Sequence, residues 1–293
     1  MKILNLTHRE KSEIPYEVFN FSDGQRSFII NGSVHPEEEA LILSRLNEFN
    51  DLELIICANK TLRERKFNKV HLYVPYFLGG RSDRKFREGS VNYLKEVICP
   101  IINLQKFDSV KVYDPHSDVL EACLDFFIKK NNFDLVEFAL KEISKDGLPI
   151  CVVSPDAGAL KKIYEVVEAF QISHLIVAHK HRDIKTGRIT HTEVPGIDPH
   201  EKRNYLIIDD ICDGGRTFTS IGEVFKLVKP SANLFLCVSH GIFSAGFQEL
   251  SKYFTTIFTT DSIQGVTYSD GYIYSSRGTE KIDRELVKQL KLF

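Results

Sequence analysis

The 293 residues carry 38 Lys and Arg against 40 Asp and Glu, a formal net charge of −2, with 43% hydrophobic and 27% charged residues. This is the composition of a globular protein, long enough for two domains of ordinary size, and its charge balance excludes the global basic field of a nucleic-acid-binding protein. No apolar run approaches the roughly 20 residues of a membrane-spanning helix.

The N-terminal "MKILNLTHREKSE" turns charged too early for a signal peptide. Six cysteines (Cys57, Cys99, Cys123, Cys151, Cys212 and Cys237) lie mostly in apolar runs without CxxC spacing. They read as reduced thiols in a reducing compartment, with the cytoplasm as the expectation, and not as disulfides or a zinc site.

In chain order, apolar runs predict strands over 2–6, 27–31, 52–58, 70–76 and 109–114. Between them, Ile42, Leu46 and Phe49 suggest a helix with Glu37, Glu38 and Glu39 at its positive end. Val91, Leu94, Ile98 and Ile101 suggest another, which Pro100 should kink or shorten. A second series of strands is predicted over 149–155, 174–179, 205–210, 234–240 and 255–260. Helical spacing appears in Leu160, Ile163, Tyr164, Val167 and Phe170, and again in Ile221, Val224, Phe225 and Val228.

Continuous apolar strands alternating with amphipathic helices predict an α/β protein with mainly parallel sheets. Two domains are expected, 1–145 and 146–293, with the polar stretch 140–149 between them. Ligands of such sheets bind beyond the carboxyl ends of the strands.

Five predicted strands run into polar residues at that end. "VVSPDAG" places Asp156, Ala157 and Gly158 at a strand-to-helix turn, where Asp156 either caps the helix or frames an anion site. "YDPHSD" places Asp114 and His116 just past a strand; such a His often does no more than hydrogen-bond in a turn, and magnesium would take mainly oxygens there. "HKHRD" sets Lys180 and Arg182 beyond an apolar strand, where two cations are either solvated or stabilise charge in phosphoryl transfer. "DIKTGRIT" after them reads as a turn into a hairpin or flap.

The most informative stretch is "NYLIIDDICDGGRTFTS". Carboxylates repel phosphate but accept hydrogen bonds from vicinal sugar hydroxyls. Asp209 and Asp210 therefore suit a ribose. Asp213, Gly214, Gly215, Arg216 and Thr217, with the Thr219 hydroxyl nearby, suit its 5-phosphate. A capped helix or an acidic cation-binding turn would use some of the same residues.

At this point the chain resembles the ribose-phosphate pyrophosphokinase family, built on the type I phosphoribosyltransferase fold. "YLIIDDICDGGRT" resembles the phosphoribosyl-pyrophosphate motif. "FSDGQ" (21–25) and "VPYFLGGRSDRK" (74–85) resemble the ATP-binding segments. "DPHS" (114–117), "SPDAG" (154–158), "KHR" (180–182) and "VSHGIFS" (238–244) follow in family order.

The resemblance implies two phosphoribosyltransferase-like domains, each a mainly parallel sheet flanked by helices. It implies transfer of the β,γ-pyrophosphoryl group of Mg-ATP to the anomeric hydroxyl of ribose 5-phosphate, giving AMP and phosphoribosyl pyrophosphate for nucleotide biosynthesis. Carried over residue by residue, Phe21, Asp23, Gln25, Arg81, Ser82, Asp83 and His116 face ATP. His116 and Asp156 contact Mg2+. Asp156, Ala157 and Gly158 form the pyrophosphate loop, and Lys180 and Arg182 are catalytic. Asp209, Asp210 and 213–217 hold the sugar phosphate. Small molecules are the partners, with neither nucleic acid nor membrane, and a homo-oligomer (dimer or hexamer) is implied.

Three segments depart from the family pattern. Gln25 replaces Glu, Ser82 replaces Gln, and "DGGRT" replaces Asp-Thr-x-Gly-Thr. Arg216 brings a cation that a larger acceptor such as ADP-ribose would engage; the product would then be ADP-ribose pyrophosphate, for NAD metabolism. A phosphoribosyltransferase would need only one such domain. A catalytically dead regulator would not need Lys180, Arg182, His116 and Asp156.

Overall fold

Residues 1–32, 39–182, 189–282 and 284–293 are described by the structure, a computed structural model; for His181, Arg182, Ile189 and Thr190 the description is of the backbone. The chain divides into two units, Met1–Asn131 with Leu292–Phe293, and Asn132–Lys291.

The first unit contains β1 (Lys2–Asn5), β2 (Tyr16–Asn20), β3 (Arg26–Ile30), β4 (Ala40–Leu43), α1 (Phe49–Glu64), β5 (Val70–Val74), α2 (Cys99–Asn103), β6 (Ser109–Tyr113), α3 (Val119–Cys123) and β7 (Phe127–Lys130). Among the described residues, five strands form a parallel sheet in the order β1-β4-β5-β6-β7. Strands β2 and β3 form a separate antiparallel hairpin. Ala40, Ile42, Val70, Leu72, Val74, Val110 and Val112 are buried in the core of this unit, as continuous apolar runs in a two-sided sheet require.

Two expected elements are exchanged. The helix expected around 42–49 is strand β4, and the strand expected over 52–58 lies inside α1. Ala40 to Leu43 is an unbroken apolar run of strand length. Leu52, Ile55, Ala58, Asn59 and Leu62 are the buried face of α1, a spacing of three and four that only a helix brings together. The Asp51 carboxylate accepts the N–H groups of Asn47 at 2.8 Å and Glu48 at 3.2 Å, which fixes the helix start. Glu37 and Glu38 lie outside the described residues. Near Pro100 the expected disturbance takes the form of a π-helical turn, Leu94–Ile98, running into α2 with Pro100 in its first turn. A proline has no N–H for the carbonyl one turn back and crowds it, so the coil widens there.

The second unit begins with α4 (Phe133–Ile143), followed by β8 (Ile150–Ser154), α5 (Leu160–Ala169), β9 (His174–Val177), β10 (His179–Arg182), β11 (Ile189–Glu193), β12 (Asn204–Cys212), α6 (Arg216–Val228), β13 (Asn233–Gly241), α7 (Gln248–Ser251) and β14 (Thr256–Thr260). A meander of β15 (Val266–Ser269), β16 (Tyr272–Ser275) and β17 (Gly278–Lys281) precedes β18 (Val287–Leu290). Among the described residues the main sheet has the order β18-β14-β13-β12-β8-β9 and is parallel throughout.

The pleat divides the core of this unit. Tyr205 and Ile207 pack with Phe218, Ile221 and Phe225 of α6. Leu206 and Ile208 pack with Leu135, Val136, Ala139 and Ile143 of α4 and with Ile163 and Val166 of α5. The division at Asn131/Asn132 falls one helix earlier than the expected boundary in 140–149, because α4 buries its apolar face on the second sheet.

Phe225 is 2% exposed and its ring centroid lies 4.8 Å from that of Tyr205. Phe225→Ala should lower the stability of the second unit by about 3–5 kcal/mol, measured as a shift of its urea transition; an unchanged midpoint would contradict this packing.

Candidate active site

In the first unit, the parallel strands β5 and β6 release their polar segments at one edge of the sheet. After β5, Ser82 donates its N–H to Gly79 at 2.7 Å and accepts that of Leu94 at 3.2 Å. Asn92 donates to the Asp83 carbonyl at 2.8 Å. Arg81, Ser82 and Asp83 thus sit on a loop pinned to the start of the π-helical turn. After β6, Asp114 is buried with φ of 39° and donates its N–H to Lys130 at 2.7 Å. That kink carries the chain to the exposed His116.

Phe21, Asp23 and Gln25 form the turn of the β2–β3 hairpin. Phe21 donates its N–H to Gln25 at 2.8 Å, and Gln25 donates its own to Asp23 Oδ1 at 3.1 Å. Phe21 is exposed and lies edge-on to Phe19 at 5.0 Å. The hairpin runs along α1: Arg26 donates to Asn50 at the start of that helix at 2.8 Å, and Arg65 beyond its end donates to Ile30 at 2.9 Å. The turn 21–25 therefore lies at the N-terminal end of α1, the pole at which the strands end.

In the second unit, β12 is longer than the expected 205–210. It pairs with β8 only from Asn204 to Ile207, yet follows β13 as far as Cys212. Asp209 and Asp210 consequently lie within a strand whose β8 side has been released. The N–H of Asp210 donates to Asp209 Oδ1 at 2.9 Å. Lys162 Nζ of α5 stands 4.0 Å from Asp210 Oδ2. Burial, and next the charge of Asp210, push the Asp209 carboxyl well above the ordinary carboxylate range.

Asp156, Ala157 and Gly158 join β8 to α5. Asp156 Oδ1 accepts the N–H of Ala159 at 3.1 Å, so the capping role is realised. Its other oxygen accepts from Lys180 Nζ at 2.9 Å. The same ammonium donates to Thr217 Oγ1 at 3.3 Å. Burial raises the Asp156 carboxyl, but the hydrogen bond and charge of Lys180, with the N–H groups of Ala159 and Gly158, outweigh it and hold the group below its ordinary value. The Lys180 side chain is only 6% exposed. One ammonium thus joins the loop after β8, strand β10 and the first turn of α6. β10 and β11 form an antiparallel hairpin. The Arg182 side chain and residues 183–188 lie outside the described residues.

Gly215 adopts φ of +76°, and a Cβ there would meet Leu250 Cδ2 at 3.2 Å; both conditions call for glycine. It turns the chain into α6, whose first N–H groups have no partner within the helix and point toward any anion there. Ser244, in the loop after β13, donates its hydroxyl to Asp213 Oδ1 at 2.5 Å and its N–H to the Asp213 carbonyl at 3.0 Å. Thr219 donates its hydroxyl to Arg216 O at 3.2 Å, a use inside the helix and not the expected offer to a ligand.

Ser244 and Lys162 were not singled out as site residues; only the segment "VSHGIFS" hinted at Ser244, and nothing in sequence spacing marks Lys162. Among the described residues, no three His, Cys, Asp or Glu side chains group as a metal cage.

A comparison with protein-family models finds no match. A ribose-phosphate pyrophosphokinase of a Marinomonas species is 27% identical over 213 residues, covering 71% of this chain and 65% of that protein. One from Vibrio parahaemolyticus is 26% identical over 253 residues, covering 84% and 78%. Among solved structures, the phosphoribosylpyrophosphate synthetase of Mycobacterium smegmatis superposes with a TM-score of 0.74 over 97% of this chain and 88% of that one, at 16% identity. That likeness gives the fold: two phosphoribosyltransferase-like α/β units. In sequence, this chain is similar to ribose-phosphate pyrophosphokinases at 26–27% identity over most of its length.

Proposed function

We propose that the protein is a diphosphotransferase that moves the β,γ-pyrophosphoryl group of Mg-ATP to the anomeric hydroxyl of a 5-phosphorylated ribose, with ribose 5-phosphate as the family acceptor. The observation that carries this reading is the Lys180 ammonium joined to both Asp156 and Thr217. It links the loop assigned to pyrophosphate with the turn assigned to the sugar phosphate.

In the reaction, the anomeric oxygen forms a bond to the β-phosphorus, the bond from that phosphorus to the oxygen shared with the α-phosphate breaks, and AMP leaves with that oxygen. The proton of the anomeric hydroxyl passes to solvent or a nearby base. Magnesium enters with ATP as part of the substrate and screens its charge. Asp209 and Asp210 accept hydrogen bonds from the ribose hydroxyls, which relieves a carboxyl that burial disfavours as an anion. The turn 213–217 gives backbone N–H groups and the Thr217 hydroxyl to the 5-phosphate. Lys180, with Arg182 beside it in sequence, stabilises the transferring group, and Asp156 keeps the ammonium aimed until the phosphates arrive. Phe21, Asp23, Gln25, Arg81, Ser82, Asp83 and His116 form the nucleotide side on the first unit. A homo-oligomer, cytoplasmic location and supply of nucleotide biosynthesis follow from the family likeness.

A phosphoribosyltransferase reading leaves the first unit without work, although that unit gathers three polar segments at one pole.

With Mg-ATP and ribose 5-phosphate, AMP should accumulate on chromatography; its absence with every 5-phosphorylated ribose would sink the reading. Lys180→Ala should lower turnover about 10²–10³-fold with an unchanged circular dichroism spectrum, and Lys180→Arg should recover part of the loss. Near-normal turnover of the alanine variant would remove Lys180 from the mechanism.

Asp209→Asn should separate stability from function. A carboxyl whose folded pKa is raised costs the folded state as pH climbs from the unfolded value, about 3.9, through the folded one. The variant's gain in Tm over the parent should be near zero at about pH 4 and positive at pH 7–8, while kcat/KM for the acceptor falls about 10–100-fold. A gain independent of pH would contradict the strained carboxyl.

A further inference from the structure

Arg216, Ser220, Glu223, Val224 and Leu227 share one stripe of α6, at spacings of three and four residues. With His191 and Thr192 of β11 they wall a cleft of about 290 Å³, near the lower bound of roughly 300–1,000 Å³ for small-molecule sites. Apart from Arg216, none of these residues takes part in the proposed reaction.

Three observations connect the cleft to the acceptor's phosphate turn. First, Arg216 belongs to both, as the residue after Gly215 and the first of α6. Its guanidinium makes no hydrogen bond or ion pair among the described residues. A cation at that position stands at the positive end of the helix dipole, and no acidic residue in the first turn offsets it. A local rule broken without compensation marks a functional position; a bound anion supplies the compensation.

Second, the side chain missing at Gly214 is not required by packing. A Cβ there would meet only Ser244 Oγ, at the ordinary distance of 3.8 Å. Gly214 has no positive φ, unlike Gly215. The outer side of the turn is open by choice of residue. Third, the wall formed by β11 is tied to the turn, because β10 of the same hairpin is fastened to Thr217 through Lys180.

We propose that this cleft receives the far half of an acceptor whose ribose 5-oxygen bears a diphosphate joined to a second nucleoside. The proposal rests on the reading of 213–217 as the acceptor's phosphate site. The second phosphate meets Arg216, which can engage it through a planar pair of donors. From Arg216 the stripe runs about 10 Å to Glu223 and about 16 Å to Leu227, at 1.5 Å per residue. Glu223 accepts from the second sugar's hydroxyls, and Val224 and Leu227 offer apolar surface to its base. The chemistry at the anomeric oxygen is unchanged: the same bond forms to the β-phosphorus of ATP, and AMP leaves.

The test is a comparison of kcat/KM for ADP-ribose and for ribose 5-phosphate with the full-length protein, followed as AMP release, with the product identified by mass. ADP-ribose should be preferred by about tenfold or more. AMP with ribose 5-phosphate but not with ADP-ribose would overturn the proposal while leaving the diphosphotransferase reading intact. No AMP with either would overturn both. Arg216→Gly should lower the ADP-ribose to ribose 5-phosphate ratio about tenfold, and Ser220→Phe, which fills the cleft from a half-buried position on α6, should lower it in the same direction. Unchanged ratios in both variants would also overturn it.

Discussion

The second unit is organised around one ammonium. Lys180 is nearly enclosed, and a cation out of water needs a partner of opposite charge and well-aligned acceptors. It has Asp156 on one side and Thr217 on the other. Three segments far apart in sequence, the loop after β8, strand β10 and the N-terminus of α6, are therefore fixed relative to one another by a group that is itself chemically competent. The arrangement also explains how Asp156 can cap α5 and remain an anion. Its carboxyl has two oxygens, one for the Ala159 N–H and one for Lys180. The capping role and the site role, alternatives when read from sequence, are compatible.

A second constraint comes from the sheet. β8 stops at Ser154, while β12 continues to Cys212 alongside β13. Had β8 run further, Asp209 and Asp210 would have lain under a ladder partner. Its early end opens one side of β12 where the two carboxylates stand. Burial and like charge then disfavour the anion at Asp209. Such stored cost is typical of binding sites, where a ligand's hydroxyl donors provide what the free protein lacks. The first unit shows the same economy of edges: Asp114, kinked to φ of 39°, carries the chain off β6 beside the loop that leaves β5.

Much of this was legible from residues alone, for definite reasons. Buried parallel strands are continuous apolar runs, so β5, β6, β8, β12, β13 and β14 announce themselves. Where a run is short and apolar, strand and helix look alike, and over 40–64 the sequence suggests them in exchanged places; the polar Asn59 on the buried face of α1 obscures its period. β2, β7 and the meander after 260 were missed because their half-exposed sequences mix polar and apolar residues. In the candidate site, the residue types suggest a sugar phosphate, but do not reveal the bridge from Lys180 to Thr217 or the bond from Ser244 to Asp213. Those partners lie 37 and 31 residues apart, and no local pattern encodes such a distance. Thr219 shows the opposite error: a hydroxyl that looks available in sequence is consumed by its own helix.

The turn at 213–217 separates what the fold demands from what it leaves free. Gly215 is demanded, by its positive φ and by Leu250 beside it. Gly214 and Arg216 are not: a side chain would fit at the first, and the helix dipole opposes a cation at the second. Neither residue improves the stability of α6, and neither serves the Lys180 bridge. Residues that the fold does not explain must be explained by what the turn meets. On the acceptor proposed for this turn, an anion larger than a single phosphate would account for both together, since the open side at 214 gives it room and the guanidinium at 216 gives it charge.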